Sequence, residues 1–145
     1  MKNWKIAFTV ASALLVPAMF TTSAEAFSLP YDGSDPISTG CANGAITART
    51  ASVSGDTTVE LRYSAHCNAA WARVRITGHN WAAGAAEVRR IADNTSYMCN
   101  NLSWSSNLGA YTCYTAIVGD LNNRADAMGL VNEGGQNLQA WTSSY

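Results

Sequence analysis

The sequence predicts an all-β protein, a small disulfide-stapled β-barrel or sandwich of mostly antiparallel strands. Three observations predict it. Two neighbouring stretches, Thr58 to Ser64 and Ala70 to Thr77, alternate apolar and polar residues with a period of two, the signature of half-buried strands. Clusters of Gly, Pro, Asn, Asp and Ser punctuate the chain between short apolar runs, as turns do. Four cysteines, Cys41, Cys67, Cys99 and Cys113, form an even set of the kind that cross-links small exported domains.

The first element is not part of the fold. Lys2 and Lys5 precede an apolar run from Ile6 to Phe20, and Ala24-Glu25-Ala26 follows as a small-x-small site. Residues 1-26 therefore read as a secretory signal peptide. The run is short and ends in polar residues, so a membrane anchor is disfavoured, and no membrane insertion is expected after cleavage. Both lysines lie in the leader, so every basic residue beyond it is an arginine, and acidic residues outnumber them. That balance gives no long-range pull toward nucleic acid or anionic lipid.

Residues 27-40 hold Pro30, Gly33, Pro36 and Gly40, a turn-rich lead-in. Residues 41-145 then form one domain. Gly44 to Ser54 is a strand, closed by the turn Ser54-Gly55-Asp56. In the next strand Val59, Leu61 and Tyr63 share one face, and Glu60, Arg62 and Ser64 the other. In its partner Ala70, Ala72, Val74 and Ile76 oppose Trp71, Arg73 and Arg75. The two form a hairpin whose connection, Ala65 to Ala69, carries Cys67. Glu60 faces arginines across the strands, which pins the register, and an arginine can stack on Trp71.

Gly78 to Gly84 is a loop with His79 and Trp81. Ala85 to Ala92 fits a strand or a short helix. Asp93 to Leu108 is an asparagine- and serine-rich loop or ragged edge. Ala110 to Val118 is a strand, Asp120 to Ala125 a turn, and Ala127 to Asn132 and Leu138 to Trp141 are closing strands. Four cysteines allow three connectivities. Cys41–Cys67 and Cys99–Cys113 are favoured because each closes a local loop between strands, each bond stabilising the fold by roughly 3 kcal/mol. Zinc is disfavoured because no C-x-x-C pair is present.

Three segments, YDGSDPISTGC (31–41), VELRYSAHCNAAWAR (59–73) and YTAIVGDLNNRADAMG (114–129), resemble an uncharacterised bacterial family, domain of unknown function 2690, over about Tyr31 to Gly129. The resemblance implies a small, exported, cysteine-paired domain, with Cys41 and Cys67 at the family's cysteine positions. Ile117 and Gly119 stand where relatives often have methionine and tyrosine. Some relatives carry a helix-turn-helix domain, which has no counterpart here. No catalytic residues come with the resemblance.

No catalytic constellation is legible. His66 precedes Cys67, but an oxidised cysteine is no nucleophile, and G-x-S-x-G is absent. Glu60 and Glu87 are the carboxylates a glycoside hydrolase of this kind would use. Asp32 to Asp35 and Asp120 to Asp126 depart from a calcium loop at Pro36 and Arg124. No cofactor and no metal are expected. The stripe Trp71, Arg73, Arg75 reads as a solvated sheet face. The best binding candidate is the disulfide-closed stretch with Tyr97, Asn101, Trp104 and Tyr111, since aromatic faces stack on sugars and amides bond their hydroxyls. The expected function is a non-catalytic extracellular or cell-envelope binding module for a glycan or wall polymer. The alternatives are an inhibitor or toxin-like protein with a protein partner, and a small hydrolase.

Overall fold

A computed structural model describes residues 28–78 and 83–145. The leader over residues 1-26, and His79 and Trp81 of the expected loop, lie outside the described residues. The chain forms ten strands: β1 (Ile46–Ser52), β2 (Thr57–Ser64), β3 (Ala69–Ile76), β4 (Gly84–Arg90), β5 (Ser96–Cys99), β6 (Ser103–Ser105), β7 (Ala110–Tyr114), β8 (Val118–Gly119), β9 (Ala125–Glu133) and β10 (Gln136–Trp141). The larger sheet runs β1-β2-β3-β7-β6 with β8 also on β3, and the smaller runs β10-β9-β4-β5. All pairings are antiparallel. Two separate sheets make a sandwich, so the barrel half of the expectation falls away.

The alternation in β2 and β3 performs as their sequences require. Val59, Leu61, Ala72, Val74 and Ile76 enter the core between the sheets, where Ala86, Val88, Ala127 and Val131 of the smaller sheet meet them. Each fully buried valine, leucine or isoleucine stabilises the fold by roughly 1.5–3 kcal/mol. The sheets approach closely at β9, where a methyl group on Gly129 would stand 2.7 Å from Val59 Cβ; only glycine fits there. Ala85 to Ala92, ambiguous in the sequence, is strand β4 because its alternate residues reach this core.

The stretch Ala110 to Val118 is two strands, not one. At Thr115 the backbone N–H donates to the Ala72 carbonyl, while the threonine hydroxyl accepts the Ala72 N–H at 3.0 Å. A side chain thus completes the ladder, and the main chain swings outward. Ile117 then enters a second, smaller core with Cys41, Cys67, Ala69 and Trp71 on the outside of the larger sheet. This corrects the reading of Trp71. It is 4% exposed, covered by the turns before β1, and the arginines lie instead over the rings of Tyr145 (Arg49) and Trp141 (Arg89).

Both disulfides connect layers. Cys41–Cys67 ties the turns before β1 to the β2–β3 connection. Cys99–Cys113 joins β5 of one sheet to β7 of the other.

Arg90 ends β4 on its inward face and has no exposed side-chain surface. Its guanidinium binds Asp32 at 2.8 Å and Asp93 at 2.7 Å, Thr95 Oγ1 at 3.0 Å and the Gly119 carbonyl at 3.2 Å. Asp32 also accepts the N–H groups of Leu29 and Gly119 at 2.8 and 2.6 Å. Both carboxylate oxygens of Asp32 are taken by these donors. Arg90→Ala is expected to lower unfolding stability by roughly 3–5 kcal/mol, because two buried carboxylates lose their counter-charge. Urea titration of the oxidised chain measures it, and adding Asp32→Asn and Asp93→Asn to Arg90→Met should recover part of the loss.

Candidate functional site

Antiparallel register builds the site by placing cross-strand residues side by side on the outer face of the larger sheet. One row runs Ser52, Thr58, Arg75, Thr112, Ser103 across five strands, roughly 19 Å at the usual strand spacing. The next runs Thr50, Glu60, Arg73, Tyr114. The third, Thr47, Arg62, Trp71, ends under the second core. Within these rows Arg73 Nε donates to Glu60 Oε2 at 2.7 Å, as the sequence led us to expect of Glu60. Arg62 bonds Thr47 Oγ1 and the Ala45 carbonyl at 2.9 Å.

At the β7–β6 end the rows open into a groove of about 340 Å³ beside the Cys99–Cys113 disulfide, lined by Asp35, Asn101, Ser103, Thr112 and Tyr114. That volume is in the range of small-ligand sites. Asp35 is fixed by its own turn: one carboxylate oxygen accepts the N–H groups of Ile37 and Ser38 at 2.7 and 2.8 Å. The other accepts the Tyr114 hydroxyl at 3.3 Å. Burial, then the Asp35 charge, push the Tyr114 hydroxyl above its ordinary value, so it stays a donor at neutral pH. The groove therefore offers an aromatic ring, an amide, hydroxyls and a carboxylate, the chemistry of sugar recognition.

The four binding residues expected from the sequence do not form one platform. Asn101 lines the groove. Tyr97 packs against the core instead, its ring over Gly33, whose positive φ and missing side chain make room for it. Tyr111 and Trp104 are cross-strand neighbours in an edge-to-face pair at 5.2 Å. They share the face of β7 and β6 opposite to Thr112 and Ser103. Tyr111 is half-buried against the core, and Trp104 is 57% exposed. Alternation explains the scatter, because neighbours in a strand point to opposite faces. Thr112 and Tyr114, read from the sequence as ordinary strand residues, and Ser103, read only as part of the asparagine- and serine-rich stretch, are the missed members. The common parity of Thr112 and Tyr114 about Cys113 was the available signal.

The other chemistries are placed as follows. Glu60 lies on the outer face of the larger sheet, and Glu87, alternating with the core residues Ala86 and Val88, lies on the outer face of the smaller one. They cannot flank one bond. His66 sits beside Cys67 at a small, mainly apolar pocket lined also by Leu29, Pro30 and Tyr31, but Cys67 is in a disulfide. Among the described residues no group of three or more His, Cys, Asp or Glu is arranged to hold a metal.

Asp120, at the end of β8, is 7% exposed, and its Oδ1 has no hydrogen-bond partner. Burial pushes its carboxyl up to about 7, against the pull of Arg90; burial first, then the Asp120 charge, raise the Tyr63 hydroxyl. Asp93 behaves oppositely: hydrogen bonding to Arg90 holds it well below the usual carboxylate range.

The fold and site define a small β-sandwich, cross-linked between layers, with a polar face on its larger sheet. The chain belongs to the family described as protein of unknown function DUF2690, whose model matches residues 29–128. It is similar to an uncharacterised protein, YjfA, of Bacillus subtilis (strain 168), 29% identical over 153 residues, covering 97% of this chain and 96% of that one. No solved structure matches it. The two disulfides suit an oxidising environment, and among the described residues no helix is long and apolar enough to cross a membrane.

The two carboxyls set opposite pH dependences. The depressed Asp93 stabilises the fold fully above the ordinary carboxylate range, a contribution lost as pH falls from that range to its own lower value. The raised Asp120 favours folding while protonated, a contribution lost as pH rises from about 4 toward 7. Stability should therefore peak in mildly acidic buffer. Asp120→Asn should stabilise the chain at pH 8 by roughly 1–2 kcal/mol, since the amide carries no charge to desolvate, and change little at pH 4. Thermal melts of both proteins across that range measure it.

Proposed function

We propose that the protein is a secreted, non-catalytic binding module whose polar sheet face and adjoining groove take a glycan or cell-wall polymer. The single observation that carries this reading is the continuity of the rows Ser52–Ser103 and Thr50–Tyr114 with the groove at Asn101. It is a broad surface of hydroxyl, amide and guanidinium donors with one aromatic ring at its edge. Export is supported by the leader sequence over residues 1-26 and by the oxidised cysteines. Rigid strands hold the side chains in place before binding, which lowers the ordering cost.

The test is sedimentation of the oxidised mature chain with bacterial cell wall. Tyr114→Ala and Asn101→Ala should each reduce retention about tenfold, the loss of roughly 1.4 kcal/mol. Trp104→Ala, altering the opposite side of β6, should leave it unchanged. Absence of retention in every version would overturn the reading.

A second reading rests on Met98 and Trp104, 60% and 57% exposed on the neighbouring edge strands β5 and β6. Exposed edges with large apolar side chains suit a protein partner. It predicts the reverse pattern: capture of a secreted protein that Trp104→Ala abolishes and Tyr114→Ala does not.

A further inference from the structure

The polar face carries an unbalanced charge. Arg62, Arg73 and Arg75 share it with a single carboxylate, Glu60, whereas Arg89 and Arg90 elsewhere are matched by Asp126, Asp32 and Asp93. Glu60 is nearly buried and engaged by Arg73. Arg75 reaches it at only 3.4 Å, and its side chain is one-third exposed. The remaining bond of Arg75 goes from Nη2 to the Leu108 carbonyl at 3.2 Å, and its Nε is buried without a partner, so the donors left for a ligand are the second N–H groups of Nη1 and Nη2. A guanidinium carries five N–H donors in a fork that matches the oxygens of a carboxylate or phosphate. Arg75 is thus an incompletely engaged fork in the middle of the five-strand row, with Thr58 and Thr112 on either side.

Arg62 and Arg73 repel one another. Burial first, then the Arg73 charge, lower the Arg62 guanidinium below its ordinary value. A bound anion would relieve that repulsion. Asp35, the carboxylate at the groove rim, is already engaged by two backbone N–H groups and Tyr114. Positive charge thus runs along the sheet and gives way at the groove to neutral donors and the one carboxylate of Asp35. The chain as a whole is slightly acidic, so the excess is a local property of this face and not of composition.

We infer that the polymer bound on this face is anionic, its repeating phosphodiester or carboxylate groups held by Arg75 and Arg73 while Asn101, Ser103 and Tyr114 contact the adjoining sugar or polyol. This rests on the wall-polymer reading and names the class of polymer. Charge-assisted, two-pronged bonds to Arg75 supply the selectivity, and the exposed setting makes the attraction sensitive to salt.

Calorimetric titration of the full oxidised chain with four probes tests it: a glycerol-phosphate polymer, polygalacturonate, a neutral glucan of similar length, and a single-stranded oligonucleotide. We expect one of the first two to bind at least tenfold more tightly than the neutral glucan, and to weaken several-fold between 50 and 300 mM salt. Which of the two binds identifies phosphodiester or carboxylate as the source of charge. Arg75→Gln should reduce that affinity at least tenfold in a chain that still melts cooperatively, and Arg75→Lys should restore it only in part. Thr58→Glu, opposite Arg75 in the register, leaves every arginine in place but supplies a competing carboxylate, and should weaken binding similarly. Equal, salt-insensitive binding of the neutral glucan would overturn the charge inference and leave the wall-polymer reading standing. Binding of the oligonucleotide alone would overturn both, as would failure to bind any probe together with failure to sediment with cell wall.

Discussion

A guanidinium without solvent contact must have its charge and its donors answered by the protein around it. Arg90 is such a group, and the fold is arranged about it. Asp32 comes from the turns before β1, Asp93 and Thr95 from the β4–β5 turn, and the Gly119 carbonyl from β8. The three segments are far apart in sequence and mostly irregular. Their common attachment to one buried cation fixes them, and the approach is tight: a side chain on Gly119 would stand 2.5 Å from Leu29 Cβ. Such a cluster adds less to net stability than its bonds suggest, since desolvation opposes them, but it tolerates no partial removal.

The position of the second core follows. With the turns before β1 anchored at Asp32, Cys41 and Ile117 can close over Trp71, and the Cys41–Cys67 bond locks that cover. The cover occupies one end of the larger sheet and leaves the other end open. The boundary between buried Trp71 and accessible Arg73 and Arg75 is therefore set by how far the irregular segment reaches. The polar face is what remains of a sheet that is half covered.

Much of this was legible in the sequence where the pattern is local. The period-two alternation of Thr58 to Ser64 and Ala70 to Thr77 located β2 and β3, their facing and the Glu60–arginine pairing. Cysteine spacing suggested the two local cross-links. What was not legible depends on contacts between distant segments. Arg90 sits beside Arg89 in a stretch that fitted two conformations, and nothing nearby marks one as buried and the other as stacked on Trp141. Trp71 looked like part of an exposed stripe because its cover comes from around Cys41 and Ile117. Tyr97, Asn101, Trp104 and Tyr111 were grouped by composition within one loop, and the pleat separates them. The break at Thr115 was hidden because a hydroxyl there stands in for a backbone carbonyl. Gly134 and Gly135, both with positive φ, make the turn between β9 and β10.

The Cys99–Cys113 bond does more than shorten the unfolded chain. It joins the last strand of one layer to a strand of the other, and both sulfurs border the groove. The concavity and the cross-link are thus one object. In a reducing compartment β5 would be released from β7, and the groove would lose the side that Cys99 and Asn101 supply. Occupancy and oxidation are therefore thermodynamically linked: any molecule that requires the intact groove shields the sulfurs and makes the bond harder to reduce by its own free energy of association. The complete concave surface requires oxidation, so competence would be withheld until the chain meets an oxidising environment.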